Sequence, residues 1–167
     1  MTLDEIREGI VRGDINRSAG YLIEAYPYTQ ILIREEMTEN GRKNMESDEA
    51  INQKIQSDVK TLFVDQTCFY VKLGSTLLET SKFEYWRVKL EDKSGKLKEA
   101  KFLNVAKNTG AASVPTYRPG DLSGYPWQNV STVCFSPVNL AEGVKLHLIP
   151  QFGDETARST LEWTADN

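Results

Sequence analysis

Apolar and polar residues alternate with a period of two through most of the second half of the chain. From Lys82 to Val105, Trp86, Val88 and Leu90 interleave with Arg87, Lys89 and Glu91, the pattern of a strand with one buried face. Asp92-Lys93-Ser94-Gly95 follows, and Gly95 supplies the positive φ of a tight turn. The alternation then resumes from Leu97 to Val105, so the segment predicts a β-hairpin. A hairpin alone is marginal in water and needs other strands to pack on. Thr67–Leu73, Val130–Phe135, Val144–Ile149 and Ser159–Thr164 read as those strands. Phe69, Val71 and Leu73 share one face of the first; Val144, Leu146 and Leu148 share one face of the third.

The first part of the chain has a different rhythm. Leu3, Ile6, Ile10 and Val11 recur at helical spacing, which predicts an amphipathic helix over about 3–12, ended by Gly13. Ser18–Ala25 predicts a further short helix, stopped by Tyr26-Pro27. Gln30–Met37 reads as a strand, because Ile31 and Ile33 alternate with Leu32 and Arg34, and Thr38–Glu46 reads as a polar loop. Ser47 is a good N-cap, Asp48 and Glu49 suit a first helical turn, and Ile51, Ile55, Val59 and Leu62 share one face. A helix from Asp48 to about Lys60, packed on a sheet, follows.

The fold class predicted is α+β: N-terminal helices followed by an antiparallel β-sandwich, divided into a helical region over 1–60 and a sandwich domain over 61–167. Cys68, Trp86 and Cys134 stand in the order of an immunoglobulin domain. The interval from Cys68 to Trp86 is longer than usual there, and Thr132 occupies the place of the tyrosine-corner residue. The prediction is therefore a sandwich of immunoglobulin-like or related topology, not membership of that family.

Composition narrows the function. A net charge of -4 disfavours general affinity for nucleic acid or anionic membranes. No apolar run approaches the ~18 residues of a transmembrane helix. The opening MTLDEIREGI is acidic and amphipathic, unlike a secretory leader; a mature chain whose leader had been removed reads the same way, and a periplasmic or secreted setting is the one favoured. Cys68 and Cys134 belong to no C-x-x-C pair and lie far from His147, the single histidine, so a zinc site built from them is not expected. They are either buried thiols or one bridge between sheets.

Chemistry is sparse. His147, flanked by inward Leu146 and Leu148, is expected to face outward, and no G-x-S-x-G, P-loop or G-x-G-x-x-G accompanies it. No catalytic residue, metal site or cofactor is therefore assigned. Arg12-Gly13-Asp14 matches the tripeptide of integrin ligands, but at a helix end it reads as coincidence. Asn16-Arg17-Ser18 and Asn129-Val130-Ser131 match the N-glycosylation pattern.

The stretch most suited to contact is Asn108–Gln128, NTGAASVPTYRPGDLSGYPWQ. Structureless connections of this length are often functional. Tyr117, Tyr125 and Trp127 offer flat apolar faces, with Arg118 and Asp121 as polar partners, a mixture suited to a sugar ring or a partner protein. The alternative for the same aromatics is that they fold inward and cap the sandwich. The sequence thus predicts a non-catalytic binding or assembly module of the cell envelope or a secreted protein. The alternatives are a structural subunit of a larger complex and a small hydrolase using Asp121 and Glu142.

Overall fold

The computed structural model describes residues 3–16, 20–63, 66–77, 82–103, 125, 127–151 and 158–164. The described residues build three α-helices and two antiparallel sheets. The elements run α1 (Leu3–Ile10), β1 (Arg12–Asn16), β2 (Tyr21–Pro27), α2 (Gln30–Lys43), α3 (Asp48–Phe63), β3 (Thr67–Ser75), β4 (Trp86–Glu91), β5 (Leu97–Glu99), β6 (Lys101–Leu103), β7 (Trp127–Phe135), β8 (Val144–Pro150) and β9 (Ser159–Trp163). One sheet has the order β1-β2-β3-β7-β6, the other β5-β4-β8-β9. β1 and β2 precede two of the helices yet lie in the same sheet as β3 and β7, so the first third of the chain is helix and strand interleaved.

The period-two segments form the strands they predict. Phe69, Val71 and Leu73 from one sheet meet Val88, Leu90, Leu146 and Leu148 from the other in a common core. Trp86 stands edge-on to Tyr21, with ring centroids 4.9 Å apart, and Phe69 lies 5.2 Å from Trp163. Such aromatic pairs add to the burial of their large apolar area.

Three local expectations are corrected. Tyr21–Pro27 is a strand, where Ser18–Ala25 predicted a helix. Tyr21, Ile23 and Ala25 enter the core, and the segment pairs with β3 from Tyr21↔Ser75 to Pro27↔Phe69; that long-range ladder outweighs weak local helix propensity. Conversely, Gln30–Met37 is helical, and the helix runs on through the expected loop to Lys43. Thr29 starts it, its hydroxyl accepting from the Leu32 N–H at 3.1 Å. Third, the hairpin's return strand breaks at Ala100. Leu97–Glu99 pairs with β4, whereas Lys101–Leu103 pairs with β7 in the other sheet. The chain therefore crosses between sheets within one short stretch.

Asp48–Phe63 is a helix as expected, with Ser47 Oγ accepting from the Ala50 N–H at 3.2 Å. Ile51 and Ile55 are buried on one face, and α2 and α3 pack together. α3 also lies against β3.

The cysteines form a disulfide, Cys68–Cys134. The bridge rules out the two free buried thiols that were one reading of the sequence, and it does not join the two sheets, as the other reading had it and as the immunoglobulin bridge does. It links neighbouring strands β3 and β7 at directly opposed positions. Both residues alternate away from the sandwich core, yet both are buried.

Candidate functional site

The β4–β5 turn and the β7–β8 connection define a recessed surface among the described residues. The turn is built on Asp92. Its Oδ1 accepts from the backbone N–H of Ser94 at 2.9 Å and of Lys96 at 3.0 Å, and from the Ser94 hydroxyl. The Ser94 hydroxyl bond above all, with these backbone bonds and the nearby Lys98 charge, holds the Asp92 carboxyl below the ordinary aspartate range, against an opposing effect of desolvation that is second in size only to the Ser94 bond. Gly95 closes the turn with φ +85°.

The opposite wall, residues 136–143, is also pinned. Asn139 Oδ1 accepts from the Ala141 N–H at 3.1 Å. The Val138 N–H donates to Thr67 Oγ1 at 3.0 Å. Lys98 reaches across from β5 and donates to Ser136 Oγ at 3.3 Å and to the Pro137 carbonyl at 3.1 Å.

Two clefts lie between and beside these walls. The larger, about 420 Å³, is lined by Lys93, Lys98, Val138 and Glu142 among others. The smaller, about 260 Å³, lies at the ends of β4, β8 and β9 and is lined by Glu91, Lys145 and Glu162. Asp92, Lys93, Glu142 and Gly143 belong to both.

His147 lies beside this region, on the outer face of the four-stranded sheet. It points away from the core, as its neighbours predicted, but is only 8% exposed. Nδ1 sits 2.9 Å from Thr160 Oγ1 and Nε2 3.3 Å from Glu91 Oε1. If Nε2 carries the proton it donates to Glu91, and Nδ1 then accepts from Thr160. Cross-strand register accounts for half of this: His147 is opposite Thr160 on β9 and Lys89 on β4. Sequence reading missed both partners, because only strand pairing brings residues 91, 147 and 160 together.

Of the residues expected to bind a ligand, only Tyr125 and Trp127 are among the described ones. Tyr117, Arg118 and Asp121 lie outside the described residues. Tyr125 and Trp127 are half-buried, and Trp127 opens β7 opposite Ser75. Glu142 is exposed at the clefts; Asp121, its proposed hydrolytic partner, lies outside the described residues. Arg12-Gly13-Asp14 is on strand β1, not at a helix end. Arg12 Nε donates to the Glu162 carbonyl at 3.2 Å, and Ser159 Oγ donates to Asp14 at 2.6 Å. Of the two glycosylation matches, Asn129 is buried within β7 and Asn16 donates to Tyr21 Oη at 3.4 Å.

Among the described residues no group of three or more His, Cys, Asp or Glu side chains is placed to hold a metal ion. No helix among them is long and apolar enough to cross a membrane.

No protein-family profile matches the sequence, and no curated protein matches it. Two solved structures are similar. A protein of unknown function from Burkholderia pseudomallei K96243 aligns with a TM-score of 0.53 at 10% identity, over 98% of this chain and 82% of its own. A DUF4426 family protein from Pseudomonas aeruginosa PAO1 aligns with a TM-score of 0.41 at 9% identity, over 92% of this chain and 91% of its own. At such identity the first likeness is one of fold alone, a β-rich architecture.

Proposed function

We propose that the chain is a non-catalytic β-sandwich module for binding or assembly, placed in the cell envelope or in a secreted protein. Its contact surface is the segment 108–128, through Tyr117, Arg118, Asp121, Tyr125 and Trp127. One observation carries this reading. β6 and β7 are antiparallel neighbours, paired from Lys101↔Cys134 to Leu103↔Thr132. Neighbouring antiparallel strands are usually joined by about 2–5 residues, yet residues 104–126 separate these two. Topology does not demand that length, and connections longer than their topology demands are disproportionately functional. Their aromatic, Pro- and Gly-rich composition suits a sugar ring or a partner protein's side chains. The Cys68–Cys134 bridge supports the compartment, since structural disulfides persist where the environment is oxidising.

The test is a glycan array and a panel of purified envelope proteins, probed with the native chain, Tyr125→Ala and Trp127→Ala. The expected result is a binder that either variant weakens about tenfold, the equivalent of 1.4 kcal/mol, with the unfolding midpoint nearly unchanged. Loss of about 3–5 kcal/mol of stability in both variants, the scale of deleting a core aromatic, would make these side chains part of the core and overturn the reading.

A further inference from the structure

The outer faces of the two sheets are covered differently. α1 packs on β2 and α3 on β3, both in the five-stranded sheet. On the outer face of the four-stranded sheet Arg87, Leu97, Glu99, Thr160 and Glu162 are exposed. Strand register arranges this face in three cross-strand rows. Glu91, Lys145 and Glu162 oppose one another on β4, β8 and β9 and make the first row. Lys89, His147 and Thr160 make the second, where Lys89 is already paired with Glu99 of β5 at 3.2 Å. Arg87 opposite Ile149 begins the third. Arg158, two residues before Thr160, extends that row by alternation and is exposed. The β4 and β9 positions of the face are therefore acidic in the first row and basic in the third. Among the described residues, none offers the side chains of Arg87, Arg158 or Glu162 a hydrogen bond or an ion pair.

We propose that this face is the interface of a symmetric dimer, in which a second copy of the chain packs face to face on the first. The two-fold axis runs perpendicular to the strands, above the second row. That rotation lays the first row of each copy on the third row of the other, strand on like strand. Glu91 of each copy then faces Arg87 of the other, and Glu162 faces Arg158. The aliphatic stem of Lys145 covers Ile149. A partner for this face must be basic where the face is acidic and acidic where it is basic, at the same spacing. The face itself, rotated, meets that requirement, as a self-complementary two-fold interface must. Aligned packing of two sheets is an ordinary geometry. The face is about 19 Å across its four strands and about 20 Å along β4, at the small end for specific complexes. The dimer is accordingly weak, with a dissociation constant on the order of 0.1 mM. The face shares no residue with the segment 108–128, so either proposal can fail without the other.

The test is sedimentation equilibrium of the whole chain, from about 10 μM to about 1 mM, a range that brackets that constant. Salt of about 0.15 M screens charges more than about 8 Å apart, so the facing side chains, not the net charge of -4, decide the outcome. A reversible monomer–dimer equilibrium is expected. Arg158→Glu and Glu162→Arg, each at an exposed position, should each weaken it about tenfold or more, since like charges then face across the interface. The double variant Arg158→Glu, Glu162→Arg should restore it. Within one copy the two residues are four apart along a strand, about 13 Å, so the exchange repairs a contact only between copies. Arg87→Glu, also exposed, should weaken the dimer equally and serves the same test if the changes at β9 disturb folding. A strict monomer at about 1 mM, well above that constant, overturns the proposal. So does a dimer that the single reversals leave intact, or a double variant no tighter than either single one.

Discussion

Asp92 organises its turn with a single carboxylate oxygen, and this makes the turn's contribution dependent on charge. The Ser94 hydroxyl is the largest cause of the lowered pKa, followed among the stabilising contacts by the backbone N–H groups of Lys96 and Ser94. A carboxyl whose folded pKa lies below its unfolded value stabilises the fold fully above the ordinary aspartate pKa of about 3.9, and that contribution is lost as pH falls through the lowered value. Ser94→Ala should therefore raise the Asp92 pKa toward the ordinary range, read as a shift of its carboxyl ¹³C titration curve. An unchanged curve would show that the backbone donors alone set it. The fate of Arg12-Gly13-Asp14 is likewise settled residue by residue. Arg12 and Asp14 bond to β9, so the tripeptide serves the packing of the sheets. An Asn129 side chain buried in β7 is inaccessible to a glycosyl donor while the strand is paired.

At the scale of elements, the α2–α3 hairpin shows how a helix can hide in a strand-like pattern. Leu32 and Ile33 are buried on α2, and Gly41 packs so closely on Ile51 that a Cβ there would collide with the isoleucine side chain. Gly41 lies in the stretch the sequence predicted as a polar loop, but this glycine serves the close approach of two helices. The helix ends at Asn44, and Met45 follows with φ +57° and its side chain exposed. Left-handed backbone costs a non-glycine residue roughly 1–2 kcal/mol, and glycine is the usual occupant after a helix C-cap. Met45→Gly should stabilise the chain by about 1 kcal/mol, measured by urea unfolding. A destabilised variant would mean that the exposed Met45 side chain makes contacts that matter.

At the scale of the whole molecule, both flanks of the sandwich are closed. On one flank β1 lies beside β9. The seam is bridged by Arg12 and Asp14, and by Trp163, whose Nε1 donates to the Ile10 carbonyl at 2.6 Å. On the other flank the chain passes from β5 to β6 and so serves both sheets. Within the five-stranded sheet the disulfide closes a loop with a sequence separation of 66. A crosslink over that length removes enough unfolded-state entropy to contribute about 2–4 kcal/mol. The double variant Cys68→Ala, Cys134→Ala should lose that much in chemical denaturation; a loss under about 1 kcal/mol would show that the unfolded chain is already restricted by residual structure without the crosslink.

What the sequence determined by itself is the set of strands whose period-two alternation coincides with a one-sided core: β3, β4, β8 and β9. In these the apolar face is dictated by spacing alone, and burial follows. The caps at Ser47 and the turn at Gly95 were legible for the same reason, since their chemistry acts within a few residues. Only the tertiary structure decided the rest. Tyr21–Pro27 is a strand because β3 is there to pair with it, and Gln30–Lys43 is a helix that packs on α3, with Gly41 against Ile51. Cys68 and Cys134 meet within one sheet because the register opposes them. Lys98 reaches the β7–β8 connection, and His147 finds Glu91 and Thr160, through contacts between residues far apart in the chain. A cleft made by such contacts leaves no spacing in the sequence, because strand order, not chain order, sets who its neighbours are.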